Sequence, residues 1–146
     1  MIGPRCIILP IAAAIAIAVP SVAGAAQGQF WGGPVAGGSN NAGMEFLLKK
    51  KNHKPHKLVK FNWHNVPVES CFDSFDGKGF NLLVNGKGKF HGSFDVPQSN
   101  HKATVHGKFK HHNKKAVGTL ELKGSFAGGC GNADSGPLPW TAKKGG

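Results

Sequence analysis

Asp73 and Asp76, in "CFDSFDGKG", are the closest-spaced pair of aspartates, and two placed carboxylates are what glycoside hydrolysis requires. Asp76-Gly77 is also a turn-forming dipeptide, so a turn explains the segment better than a catalytic pair does. "FDSFDG" lacks the ladder of oxygen ligands that an EF-hand loop needs, and calcium is not indicated. No Gly-x-Ser-x-Gly elbow and no phosphate-cradling glycine-rich loop occurs. A hydrolase built on Asp73 and Asp76 therefore stays only as an alternative. Eight histidines offer nitrogen ligands: His53-x-x-His56, the adjacent His111 and His112, and His64, His91, His101 and His106. Lysines surround His53 and His56 and oppose a dication, and Pro55 disfavours pairing them on a helix. Solvated surface histidines are the default, and no metal or cofactor is assigned.

The cysteines read differently once the start of the chain is considered. Arg5 precedes an apolar run, Cys6 to Val19, and then the small residues Val22 to Ala26, the pattern of a secretory signal at 1–25 cleaved after Ala25. The run falls short of the ~20 apolar residues of a spanning helix, and Pro10 interrupts it. Cys6 stands before the run, so no lipid anchor is indicated, and the expected location is extracellular with no transmembrane segment left. Cys71 and Cys130 then remain, and two cysteines in an oxidising compartment pair most simply with each other. A disulfide closing a loop of about 60 residues contributes about 4 kcal/mol in the chain-entropy picture. A cysteine nucleophile is thereby removed.

About 120 residues are left, enough for one domain with a modest core. Residues 26–44 are Gly-rich and are read as a flexible leader, with Phe30 and Trp31 able to tack onto the domain; 45–146 are read as an antiparallel β domain. No stretch has a helical apolar period. Alternation marks strands instead: Leu58 to His64, extending to Val66 and Val68; Gly79 to Val84; Lys89 to Val96; Ala103 to Phe109; Ala116 to Phe126; and Leu138 to Ala142. Asn85-Gly86 suits a tight hairpin. Gly-x-Phe occurs at Gly88, Gly92, Gly107 and Gly124, and each glycine should leave room on the inner face for a ring from a facing strand. The expected fold is all-β, a small antiparallel sandwich or barrel. Trp63 and Trp140 alternate with apolar neighbours and read as core. A sugar- or partner-binding module using Trp31 or Trp140 is the second alternative.

"VKFNWHNVPVESC", "GTLELKGSF" and the ending "CGNADSGPLPWTA" together resemble a family of small secreted bacterial proteins with an early cysteine and a closing Cys…Ser-Gly…Trp-Thr-Ala motif. The resemblance spans Leu58 to Lys144. It implies export and a β-sandwich or barrel, and it brings no catalytic residues.

Charge is the strongest remaining signal. Seventeen lysines face seven acidic residues once Arg5 is removed, a net charge of +10. Lysine concentrates in "KKKNHKPHKLVK", with Lys49, Lys50, Lys51, Lys54, Lys57 and Lys60, and in "KFKHHNKK", with Lys108, Lys110, Lys114 and Lys115. On an exported domain such clusters attract teichoic acids, acidic polysaccharides, anionic lipid head groups or extracellular DNA. Sequence-specific nucleic-acid reading is disfavoured, since no arginine remains for bidentate base contacts. The leading expectation is a non-enzymatic secreted domain that binds acidic polymers.

Overall fold

The computed structural model describes residues 28–37, 41–68, 71–96, 100–126 and 130–145, with the side chains of residues 71–74 left aside. The expected signal at 1–25 lies outside these residues. Nine antiparallel strands and no helix make up the described chain: β1 (Gln29–Pro34), β2 (Gly43–Lys51), β3 (Lys54–Val68), β4 (Cys71–Leu83), β5 (Lys89–Asp95), β6 (Asn100–Lys110), β7 (Lys115–Phe126), β8 (Gly131–Asp134) and β9 (Leu138–Lys144). Their order in one sheet is β4-β3-β2-β1-β9-β7-β6-β5, with β8 paired to the far end of β7. The sheet curls until β4 and β5, its two ends, face each other as a nearly closed barrel.

Alternation specifies most of this. Met44, Phe46 and Leu48 of β2 point inward between exposed or half-buried neighbours, as do Ala103, Val105 and Phe109 of β6 and Leu120 and Leu122 of β7. Strand β3 keeps its apolar set inside only by breaking the period twice. Its register with β2 shifts between Leu47 and Leu48, leaving Val59 over, so that Leu58 and Phe61 both turn inward. Its register with β4 shifts between Trp63 and Val66, where Asn65 takes a φ of 53°. Asp76 holds this bulge: its Oδ1 accepts the Asn65 N–H at 2.7 Å. The carboxylate considered for catalysis thus has a structural task, and the side chain of Asp73 lies outside the described ones.

The turn expected at Asp76-Gly77 does not form, because both residues lie within β4, where Gly77 makes room for the Trp63 ring. Two further expectations about local structure are corrected. Gln29–Pro34, placed in the flexible leader, is a strand hydrogen-bonded to both β2 and β9. Burial of Trp31, which has no exposed surface, ties it down. The second concerns Asn85-Gly86. A turn forms there, with the Gly88 N–H donated to the Asn85 carbonyl and the Asn85 side chain accepting from the N–H groups of Lys87 and Lys89. The strands it joins do not pair, because they are the two edges of the barrel. Side chains fill the seam instead: Leu82 reaches over Gly92, and the Phe94 ring over Gly79.

Among the described residues the interior is filled by a packed aromatic core. The Phe46 ring stacks on Trp31 at 5.8 Å and on Phe61 at 6.2 Å, and meets the edges of Phe90, Phe109 and Trp140. Gly107 is glycine because a Cβ there would strike the Phe90 ring. Of the four Gly-x-Phe repeats only Gly107 makes room for a ring as expected. Gly92 makes room for Leu82, Gly88 serves the turn with φ 71°, and Gly124 has φ 137° where β7 runs against β6.

Candidate functional site

Strand direction decides where the lysines go. The β2–β3 hairpin, the β4–β5 turn, the β6–β7 hairpin and the end of β9 all lie at one pole of the barrel. The backbone joins them there, with the Val84 N–H donated to the His56 carbonyl and the Phe109 N–H to the Gly88 carbonyl. Residues of the first three of these elements, among them Lys51, Lys54, Lys87 and Asn113, line one shallow cleft of about 610 Å³.

Thirteen of the seventeen lysines belong to this pole. Lys49, Lys50, Lys51, Lys54 and Lys57 come from the first hairpin, and Lys108, Lys110, Lys114 and Lys115 from the second. Sequence reasoning named these and missed four more: Lys87 and Lys89 from the β4–β5 turn, and Lys143 and Lys144 from β9. The run Lys143-Lys144 was a usable signal; that Lys87 and Lys89 join it depends on topology. Lys60, by contrast, lies further down the wall of the barrel, in register with Leu47 and Phe80.

Many of these lysines stand directly opposite one another. Lys51 pairs with Lys54, Lys49 with Lys57, Lys89 with Lys108, Lys110 with Lys115, and Lys115 again with Lys143. Opposed like charges on neighbouring strands destabilise a sheet, each pair by a few tenths of a kcal/mol. The acids that would relieve them are elsewhere: Glu45 accepts from Asn62, Asp76 holds the bulge, Asp95 and Asp134 close the far ends of β5 and β8, and Glu121 lies midway along β7. Two lysines away from the pole have carboxylate partners, Lys102 with Asp95 at 3.8 Å and Lys123 with Asp134 at 3.0 Å. Among the described residues no lysine of the pole forms an ion pair.

Backbone strain gathers at the same pole. Asn52 and His53 in the first hairpin, and His111, His112 and Asn113 in the second, all have φ between 50° and 63°. A left-handed residue other than glycine costs about 1–2 kcal/mol, less for asparagine, and such strain concentrates at functional sites. The two paired left-handed residues, Asn52 and His53, make the tight turn that lets Lys51 face Lys54.

No protein-family model, curated protein or solved structure matches the chain.

The remaining candidate residues are dispersed. His53, His56, His111 and His112 belong to the lysine pole, while His91 and His106 face each other on the outer wall with ring centroids 6.0 Å apart. Among the described residues no three histidine, cysteine or acidic side chains gather as a metal site. Trp31, Trp63 and Trp140 are at most 3% exposed, which removes them as stacking platforms because no ring face reaches the surface. No described helix is long and apolar enough to cross a membrane.

His101 is the buried exception. Its ring stacks on Phe126 at 4.3 Å and meets the edge of Phe75, and neither ring nitrogen has a hydrogen-bond partner. Burial holds its pKa below the ordinary 6.5, because the cation loses hydration and finds no acceptor. A depressed histidine is neutral in the fold and takes up its proton first in the unfolded chain. Stability falls as pH drops below 6.5 and keeps falling until the folded-state value is passed. Replacing His101 with Phe is expected to flatten the decline in urea midpoint between neutral and mildly acidic pH; an unchanged slope would remove His101 as its cause.

Proposed function

We propose that this is an exported domain whose lysine pole binds acidic polymers of the cell envelope or its surroundings, such as acidic polysaccharides or teichoic acids. What supports this reading is the placement of thirteen lysines on four connected chain segments at one end of a barrel, with no acidic side chain among those segments. The ladder of facing lysines is a cost to folding that a bound anion offsets, because every phosphate or carboxylate placed between two of them turns repulsion into attraction. Lysine suits such a partner. Its compact, flexible ammonium follows a charged chain without requiring one geometry, as expected for a ligand recognised by charge density. The shallow cleft between the two hairpins and the β4–β5 turn gives a path for an extended polymer. The experiment is a salt titration of binding to immobilised polyphosphate, made with the wild type and two charge-matched variants. Lys51→Glu with Lys114→Glu removes charge from the pole; Lys78→Glu with Lys102→Glu removes the same charge from the walls. Equal loss in both variants would mean that net charge, and not the pole, is responsible.

We propose further that Cys71 and Cys130 form a disulfide that ties the opposite pole. Supporting it, Cys71 opens β4 beside Val68, Cys130 packs against the core just before β8, and Phe75 and Phe126 from the same two regions touch at 4.5 Å. Reduction is expected to lower stability by about 4 kcal/mol, read as a shift in urea midpoint with and without reductant. An unchanged midpoint would overturn the pairing.

A further inference from the structure

We propose that the wall formed by β1 to β4 beside the lysine pole seats on an anionic lipid surface. This rests on the reading of the pole as an anion site and names the surface that presents the anions. The three large apolar side chains most exposed among the described residues are Phe30, Phe80 and Leu83, the last at 66% exposure. All three point outward from this one wall, since Trp31, Gly79 and Leu82 beside them point inward. Register joins them into a patch. Phe30 lies opposite Leu47, Leu47 opposite Lys60, and Lys60 opposite Phe80, so a row of four side chains crosses four strands. At about 4.8 Å per strand the row is roughly 14 Å long. Leu83 lies one step nearer the pole, opposite Lys57, which in turn faces Lys49.

The chemistry of the patch is mixed in a particular way. Apolar tips alternate with ammonium groups: Lys60 stands within the row, and the Lys78 ammonium lies 6.0 Å from the centre of the Phe80 ring. Among the described residues the opposite wall has no such patch. Its outward residues include His91, Ser93, Lys102, Thr104, His106 and Glu121, and Ser93 and Thr104 hydrogen-bond to each other at 3.1 Å. A sugar polymer can stack on the Phe80 ring, but its hydrated chain gives Leu83, the most exposed of the three, no hydrocarbon to enter. A bilayer offers both halves of the match, with phosphates at the level of the lysine ammonium groups and hydrocarbon just below for the rings and the leucine, while the lysine stems lie along the boundary. Attachment of this kind combines buried apolar area with attraction to acidic headgroups, so it survives salt better than attraction alone.

The test is co-flotation with vesicles of phosphatidylcholine alone and of an equimolar mixture with phosphatidylglycerol, run beside polyphosphate binding. The wild type is compared with a Phe80→Ser, Leu83→Ser double variant whose thermal melt is checked first; both side chains are exposed, so the fold should be retained. The wild type is expected to float with the acidic vesicles and not with the neutral ones. The double variant should lose about tenfold or more in vesicle affinity and keep its affinity for polyphosphate. Equal vesicle binding by the two proteins, or wild-type binding to polyphosphate without binding to acidic vesicles, overturns the lipid proposal and leaves the polymer reading standing. Failure to bind either ligand overturns both.

Discussion

Binding to polyphosphate is expected to weaken about 300-fold between 50 and 200 mM salt, if about six lysines of the pole engage phosphates and each releases counterions as on a flexible single-stranded polyanion. The same relation makes each contact worth a factor of about eight at 50 mM salt, so changing Lys51 and Lys114 to glutamate should cost at least about 60-fold there and flatten the slope of log affinity against log salt by about 1.4. Reversal adds repulsion to the loss of two contacts, so the true effect lies on the larger side. Lys78 and Lys102 are the control because both lie away from the pole, on β4 opposite Asn62 and on β6 opposite Asp95. Their substitution changes the net charge equally and the field at the cleft much less, since a wall charge more than a Debye length away, about 14 Å at 50 mM salt and about 7 Å at 200 mM, is largely screened. A shallow salt slope in the wild type would mean that few lysines are engaged together, and would sink the convergent site however well the protein binds.

That convergence was half legible in the sequence. The two clusters are visible as runs, but only topology tells whether they meet. Lys51 and Lys110 are far apart in sequence and share a pole because β2 and β6 run toward the same end of the barrel, a consequence of antiparallel order and not of any local pattern. Lys87 and Lys89 were overlooked for the same reason, being ordinary turn residues until the turn is placed between two lysine hairpins. The fold class was legible because period-two alternation survives in β3, β6 and β7. Strand β1 was hidden by its glycines. Phe30 and Trp31 lack apolar neighbours at strand spacing, and only the facing rings of Phe46 and Phe109 supply the burial that makes the segment a strand. Bulges at Val59 and Asn65 likewise follow from packing on both sides of β3. The edge seam between β4 and β5 was also out of reach, since the Asn85-Gly86 turn reports a reversal of the chain and says nothing about whether the strands beyond it pair.

Phe46→Ala should be the most destabilising of the substitutions considered, at about 3–5 kcal/mol, the usual cost of truncating a fully buried phenylalanine. Phe46 is 1% exposed and stands where the rings of β1, β3, β5, β6 and β9 meet, so truncation leaves a void bounded by rigid aromatic faces that cannot collapse into it. Domains of this size hold about 5–15 kcal/mol in total, so the variant should lie near its folding threshold. The measurement is urea denaturation, with a lower midpoint and an unchanged slope as the sign that the native barrel is weakened and not rearranged. Phe80→Ala makes the same chemical change at an exposed site, and there the expected effect is within about 0.5 kcal/mol. A small loss at Phe46 would mean that the ring cluster is more plastic than its geometry implies, and would reopen the interior as a place where a ligand can be held. A large loss with undiminished polyphosphate affinity in the fraction that stays folded would separate the two halves of the molecule's chemistry. Aromatic packing would then set whether the barrel exists, and the lysines at its pole what it can hold.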